Sequence, residues 1–476
     1  MPPEHTEEPA GVGKIVDCSY AANAVRRFGP NKEHCLAVTE IVDDSVKRKG
    51  WYPLASSREF QMPTTQSILI EAVRCFDGVK LLPEPVDVLV CDGRIEWLGS
   101  GSAPKDVRRI RAGSRFLMPG LIDVHVHLES AHIPDRIGYI TRTPPTLMAF
   151  YAAHHARLTL EAGFTTVRNM GFTTLGEAGT RASVALREAI NRGLIEGPRI
   201  VTGGTVDRTG GHFDLLRPPV FPREPNETAD GEAAVRQMVR RHVRAGADFI
   251  KFATTGGIAS EGDEPEWVMY TQAEVQALVD EAHSMKRHTA CHAYGTEGVM
   301  RALLAGTDTL EHGTYMDDEG LRLLLKNKTF LVPTLSFLHG VVTRGRELNL
   351  PAYWLEKCGP AYEAEKETLR KARIAGARFA YGTDAAGGRH NPHGENAREL
   401  VLWVGLGFAP DKVLAAATSA AAEAIGLSGV TGRITPGYSA DLLLVDGDPL
   451  QDISVLSDKQ RIKQVICRGR IAVERE

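Results

Sequence analysis

The chain has 476 residues, which is longer than an average domain of about 100–150 residues, so we expect more than one structural module. Apolar residues make up 43% and charged residues 24%, as in ordinary globular proteins, and a formal net charge of −4 gives no reason to expect a nucleic-acid or membrane-surface partner. The seven cysteines are scattered and form no CxxC pair, so the sequence indicates neither a disulfide framework nor a cysteine zinc cluster.

Residues 1–66 mix polar, Pro and Gly residues with short apolar pieces, and we predict an N-terminal extension of unknown role. The first residues, MPPEHTEEPAGVGK, lack the basic and then apolar pattern of a secretory signal. No apolar run reaches membrane-spanning length, so we expect a cytoplasmic protein.

Two β-rich segments flank the middle of the chain. Residues 67–118 contain SILIEAVRCFDG, VDVLVCDGRIEWLG and RFLMPG, with turn signals at Asp77–Gly78 and Asp92–Gly93. Residues 431–476 repeat the pattern in SADLLLVDGDPL and QVICRGRIAV. We therefore predict a small β-sandwich domain built from both ends of the chain, with residues 119–430 inserted into it.

The inserted segment alternates β-type runs with helix-period stretches such as 271–286 and 411–425, a pattern typical of parallel βα units. This α/β pattern predicts a (β/α)8 TIM barrel, whose working residues lie at the carboxyl ends of the strands. Its eight β-type runs are LIDVHVH, TTVRNMG, RIVTGGTV, DFIKFATTGG, TACHAYG, TLEHGTY, FLVPTL and ARFAYGTDAAGG.

Four histidines and an aspartate fall at the ends of these runs. His125 and His127 are two residues apart, so their imidazoles point to the same side of a strand. His292, His312 and Asp384 end later runs. Each alone could be a polar residue at a strand end, but together they supply the nitrogen and oxygen ligands that zinc and related ions take.

Lys251 ends the fourth run, where a charged amine would face this cationic site. Burial lowers the pKa of a lysine, and a neutral amine can react with CO2 to form an anionic carbamate. Such a group could bridge two ions roughly 3.5–4 Å apart. In the other interpretation, the stem of Lys251 packs in the core and the amine reaches solvent.

The order HVH, Lys251, His292, His312 and Asp384 resembles the amidohydrolase superfamily in its binuclear, carboxylated-lysine subtype. The segments MPGLIDVHVH, KFATTGG, LEHGTY and GTDAAGG are most similar to its prolidase-like and ochratoxinase-like branch, with imidazolonepropionase-type relatives. The resemblance covers about residues 67–473. It implies two divalent ions, with zinc preferred: His125, His127 and Asp384 bind one, His292 and His312 bind the other, and the carbamate on Lys251 bridges them.

The resemblance implies a hydrolase that cleaves amide C–N bonds in dipeptides or N-acyl amino acids, with ochratoxin-like toxins among the candidates. A hydroxide that bridges the ions would attack the carbonyl, and Asp384 would take its proton and pass it to the departing amine. Four further residues are candidates for substrate contact: Tyr294 and His212, which could also act in catalysis, and Arg168 and Arg389, which could pair with a substrate carboxylate. Their other interpretations are a structural tyrosine, a solvated loop histidine and surface arginines.

Two other functions stay open. A cyclic-amide hydrolase, deaminase or lactonase could use the same barrel, although such deaminase-type sites usually hold one metal and lack the bridging lysine. A non-catalytic scaffold is the other possibility, although every ligand position is filled here. We expect a homo-oligomer, a small-molecule substrate and no nucleic-acid or membrane partner, with specificity residing in loops 207–228 and 386–395.

Overall fold

The computed structural model of the chain describes residues 66–131, 139, 142–171, 175–217 and 227–476. The predicted extension, residues 1–66, lies outside this range apart from its last residue, as do residues 218–226 of the predicted loop 207–228.

The described residues form fifteen strands and eleven α-helices. The strands are β1 (Ile68–Cys75), β2 (Val86–Cys91), β3 (Arg94–Gly99), β4 (Arg108–Arg111), β5 (Phe116–Pro119), β6 (Leu121–Val126), β7 (Phe164–Asn169), β8 (Arg199–Thr205), β9 (Phe249–Ala253), β10 (His288–Ala293), β11 (Thr309–His312), β12 (Phe330–Val332), β13 (Leu442–Val445), β14 (Ile462–Cys467) and β15 (Arg470–Glu474). The helices are α1 (Pro145–Glu161), α2 (Gly176–Asn191), α3 (Glu232–Ala245), α4 (Gln272–Ser284), α5 (Thr296–Ala305), α6 (Asp318–Asn327), α7 (Leu335–Arg344), α8 (Ala352–Ile374), α9 (Arg398–Gly405), α10 (Pro410–Ala416) and α11 (Ser419–Ala424).

One sheet combines strands from both ends of the described chain, as predicted. Its order is β15–β14–β13–β5–β1–β2–β3, and β4 pairs with β1. The β2–β3 hairpin turns at Asp92–Gly93, where both residues have positive φ angles of 48° and 76°. Two such residues give a turn whose twist matches that of the flanking strands. The exact boundaries of the predicted domains, 67–118 with 431–476 and 119–430, stay a prediction.

Strands β5 and β13 are buried on both faces because they lie between two apolar cores. Leu117 and Leu444 pack with the residues of β1 and β2. Their neighbours Phe116, Met118 and Leu443 point the other way, into a cluster shared with barrel residues. Successive side chains of a strand point to opposite faces, which explains why these strands are continuous apolar runs instead of alternating ones.

The second sheet is the predicted barrel. Strands β6 to β12 are parallel and lie side by side in chain order. Residues 379–385 form the eighth member through parallel bridges from Phe379 to Leu331 of β12 and from Ala385 to Val126 of β6. The eight predicted β-type runs therefore all belong to the barrel, and the largest apolar cluster packs its strands against the surrounding helices. The predicted fold class is confirmed.

The two helices singled out from the sequence differ in outcome. The predicted helix 271–286 is α4, which starts after a capping box in which Thr271 and Glu274 satisfy each other's backbone N–H groups. The predicted helix 411–425 is instead two short helices, α10 and α11. The helix breaks at Thr418, which has φ −136° and ψ −93° and whose hydroxyl donates to the carbonyl of Leu414 at 2.6 Å.

Gly382 lies where the eighth barrel segment approaches β6 and β12. An added Cβ would lie 2.5 Å from Cγ1 of Val332 and 2.8 Å from Cβ of His125. We expect Gly382→Ala to lower the free energy of unfolding by about 1–3 kcal/mol, the usual cost of overpacking a core. The change is measured by urea denaturation.

The matched control is Gly405→Ala at the last position of α9, where an added Cβ meets nothing within 4 Å. This variant should be neutral or more stable, because alanine favours helix more than glycine does. Equal stability of the two variants would contradict the close approach at Gly382.

Candidate active site

His125, His127 and Asp384 come together at the carboxyl end of the barrel. His125 is the last but one residue of β6, and His127 directly follows the strand. Asp384 lies on the eighth segment, where its backbone N–H donates to the carbonyl of His125 at 2.8 Å. Oδ1 of Asp384 is 3.2 Å from Nε2 of His127 and 3.6 Å from Nε2 of His125. The possible ligand atoms of the three residues lie within 4.8 Å of one another, so this group could hold a metal ion.

Asp384 is ionised in this setting. Burial alone would raise the pKa of its carboxyl, but the hydrogen bond from His127 and the charges of His125 and His312 outweigh burial and hold the pKa well below its usual value. Its backbone has a φ of 54°, in the left-handed region that aspartate tolerates better than most residues. The side chain is therefore an anion aimed at two imidazoles.

His292 and His312 lie beside this group on β10 and β11, with ring centroids 4.7 Å apart. The His312 ring is 5.3 Å from that of His125. One nitrogen of each ring has a protein partner: Nε2 of His292 is 3.0 Å from the carbonyl of Gly256, and Nδ1 of His312 is 2.7 Å from the hydroxyl of Thr334. These bonds orient the rings and leave Nδ1 of His292 and Nε2 of His312 as the possible ligand atoms.

Lys251 of β9 is only 1% exposed, and its Nζ has no hydrogen-bond partner among the residues that the structure describes. Burial lowers the pKa of its amine to about 8, against the opposing charges of Glu311 and Asp384. A buried amine without a partner is costly, and a lowered pKa makes the neutral form accessible near neutral pH. The predicted carbamate would relieve both problems, so Lys251 fits the role expected of it.

Glu311 is a residue of the site that the sequence analysis missed. Its Oε2 accepts from Nδ1 of His125 at 2.7 Å, which directs Nε2 of that ring to Asp384. Its Oε1 accepts from Arg168 at 2.7 Å and from the hydroxyl of Thr309. The sequence did hold one signal for the contact with Thr309. Glu311 comes two residues after Thr309 in TLEH, and residues two apart in a strand point to the same side, so their side chains can meet.

Arg168 does not reach the mouth of the site. It is 1% exposed, and besides Glu311 its guanidinium donates to the carbonyl of Val124 at 2.6 Å and the hydroxyl of Thr309 at 3.0 Å. These contacts do not favour the predicted pairing with a substrate carboxylate, because each of the three guanidinium nitrogens already donates a hydrogen bond within the barrel. The geometry supports a different role, holding the carboxylate of Glu311.

The other three substrate-contact candidates differ in position. The ring of His212 stacks on that of His292 with centroids 4.4 Å apart, and the ring of Tyr294 stacks on that of His312 at 4.8 Å. Burial raises the pKa of Tyr294 well above its usual value, so its hydroxyl stays protonated and can donate a hydrogen bond. Arg389 is exposed in the loop after the eighth segment. Two of the three thus lie against predicted metal ligands.

None of the described helices is long and apolar enough to cross a membrane.

Comparison with known proteins matches residues 116–472 to the model of the amidohydrolase family. Over 409 residues the chain is 29% identical to ochratoxinase from Aspergillus niger, with 81% of this chain and 82% of the relative covered.

Solved structures agree with this family. A Xaa-Pro dipeptidase with bound methionine superposes with a TM-score of 0.76 at 32% identity, covering 85% of this chain and 99% of the other. A prolidase complexed with N-methylphosphonate-L-proline gives 0.77 at 30% identity, covering 86% and 100%. The chain therefore belongs to the amidohydrolase family, in the branch that contains prolidase-like proteins and ochratoxinase, and is a hydrolase that acts on C–N bonds.

Proposed function

We propose that the chain is a metal-dependent hydrolase of dipeptides or N-acyl amino acids, with ochratoxin-like amides among its candidate substrates. The observation that carries the proposal is the buried amine of Lys251, which has no hydrogen-bond partner among the described residues and lies close enough to His125, His292 and His312 to act on their charge. The dipeptidase, the prolidase and ochratoxinase named above support the substrate class, since each is a relative over most of its length.

The residues fit two divalent ions, for which we propose zinc. His125, His127 and Asp384 would hold one, His292 and His312 the other, and a carbamate on Lys251 would be shared. In forming the carbamate, the neutral Nζ bonds to the carbon of CO2 and releases a proton. When bound, such ions lower the pKa of water and polarise a carbonyl group.

The protein's own residues supply binding and proton transfer. Asp384 is ionised, and its carboxylate can accept a proton from water and return it to the departing amine. Tyr294 can donate a hydrogen bond to the substrate carbonyl or to the oxyanion that develops from it, since its hydroxyl stays protonated. The ring of His212 stacks on that of His292, and its imidazole can form a hydrogen bond with a further substrate oxygen.

The direct test is product analysis by mass spectrometry. Protein reconstituted with zinc in bicarbonate buffer is incubated with dipeptides, N-acyl amino acids, ochratoxin A, cyclic amides and lactones. We expect release of a free amino acid, and the identity of that amino acid defines the pocket on the carboxyl side. Opening of cyclic amides or lactones alone would contradict the proposed substrate class and favour the alternative function.

Asp384→Asn tests the proton-transfer role. The amide keeps the size of the side chain but cannot accept the proton, so we expect kcat to fall by about 10²–10⁴. Metal content is measured on the same sample by plasma mass spectrometry, which separates lost chemistry from lost metal. Near-normal turnover at full metal content would show that Asp384 is not the proton acceptor.

Glu311→Gln tests the support of His125. Weakening the charged hydrogen bond to Nδ1 should lower zinc affinity by about 10–100-fold, the usual effect of losing a partner that orients a ligand. Affinity is measured by competition with a chromogenic chelator. The control is Glu319→Gln on α6, where the side chain is 53% exposed and pairs with Arg322. Unchanged affinity in Glu311→Gln would mean that the orientation of His125 does not depend on Glu311.

A further inference from the structure

Residues 254–264, the loop that follows β9, contact two histidines of the site at once. The carbonyl of Gly256 lies 3.0 Å from Nε2 of His292, and Oδ2 of Asp263 lies 2.7 Å from Nδ1 of His212. Lys251 lies on the strand that leads into this loop. The same short segment thus connects a predicted metal ligand, a predicted substrate contact and the strand of the predicted bridging residue.

Asp263 is held firmly within this loop. It is 1% exposed, its Oδ1 accepts from the hydroxyl of Ser260, and Nζ of Lys357 donates to the carbonyls of Ser260, at 2.9 Å, and of Asp263. Nζ of Lys357 is also 3.9 Å from Oδ1. A buried carboxylate with these partners has one stable orientation, in which Oδ2 faces His212.

His212 is confined from two further directions. Its ring is nearly parallel to that of His292, with an interplanar angle of 14°. On the loop side, a Cβ at Gly257 would lie 2.5 Å from Cε1 of His212, so only glycine allows this close approach. Stacking therefore sets the plane of the ring, and the bond to Asp263 sets its rotation within that plane.

We propose that Asp263 is the positioning residue for His212, an inference that rests on the proposed function. Its carboxylate accepts the proton carried by Nδ1 of His212, which fixes that tautomer and makes Nε2 the nitrogen that meets a substrate oxygen. Carboxylates that hold a catalytic imidazole in one tautomer and orientation do the same work in other hydrolases. Asp263 touches no substrate in this scheme and acts only through His212.

A purely structural Asp263, which holds the loop through Ser260 and Lys357, makes a different prediction. If Asp263 acts through His212, its replacement has no further effect once His212 is gone. If it acts on the loop independently of His212, the fold losses in kcat/KM of the two variants multiply in the double variant, because independent free-energy changes add.

The experiment is a double-mutant cycle with Asp263→Asn, His212→Asn and the double variant, using the best substrate from the product screen. We expect Asp263→Asn to lower kcat/KM by about 10–100-fold and to change it by less than about twofold in the His212→Asn background. Glu264→Gln is the matched control, since Glu264 is the next residue and its side chain is 49% exposed. Multiplying losses, or an equal loss in Glu264→Gln, would overturn the proposal.

Two additions keep the test decisive. Thermal unfolding midpoints are measured for each variant, and if Asp263→Asn does not fold, Ser260→Ala replaces it in the cycle, with a smaller loss expected in the same direction. The tautomer is read without turnover from nitrogen NMR of histidine-labelled protein, with His212→Asn identifying the signal. A proton on Nδ1 that is lost in Asp263→Asn supports the proposal, whereas a proton on Nε2 in the wild type overturns it.

This second readout also separates the two proposals. Absence of turnover across the whole substrate panel would contradict the proposed function. The NMR result would still decide whether Asp263 sets the tautomer of His212.

Discussion

The hydrogen bonds that hold residues 379–385 between β12 and β6 are the constraint on which the site depends. The backbone N–H of Ala380 donates to the carbonyl of Leu331 in β12 at 3.0 Å, and the N–H of Val124 in β6 donates to the carbonyl of Tyr381 at 2.8 Å. The buried carboxylate of Asp123 reinforces this closure by accepting from the N–H and hydroxyl of Thr383. Because the eighth segment closes the barrel against β6, the first barrel strand, Asp384 lies next to His125 and His127 although about 260 residues separate them in the sequence.

The interior of the barrel holds buried charged groups, and a buried charge is costly unless it is paired. Arg168 and Glu311 form a buried ion pair that Thr309 completes. Removing one member of such a pair typically costs about 3–5 kcal/mol, because the other charge is left uncompensated. The pair therefore links stability to function, since the same carboxylate orients His125.

Burial keeps these histidines in the neutral form. It lowers the pKa of His312 to about 3 and the pKa values of His125 and His292 well below their usual range, with the nearby amine of Lys251 adding to the effect. Metal ions bind the neutral imidazole, so a site that keeps its rings unprotonated loses no affinity to competing protons near neutral pH.

The barrel and its strand-end histidines were predictable because they follow from local pattern. Alternation within β6 places His125 and His127 on one side, and the repeated βα pattern places His292 and His312 at the same end. The contacts of Glu311 and Asp263 were not predictable, because each joins residues from two different βα units. The contacts of Arg168 with β6 and β11 were not predictable for the same reason, and its pairing with a substrate carboxylate stays a prediction.

The order of strands in the mixed sheet bears on how the chain folds. Strand β13, from the C-terminal part, pairs with β5 on one side and β14 on the other, so β1 to β5 lack an essential neighbour until residues 442–474 are available. The whole barrel sequence separates β5 from β13. During synthesis the N-terminal strands must therefore remain with an open edge while the barrel emerges, and pairings of such long sequence separation form slowly. A barrel assembled in the meantime would give the late strands a surface on which to complete the sheet.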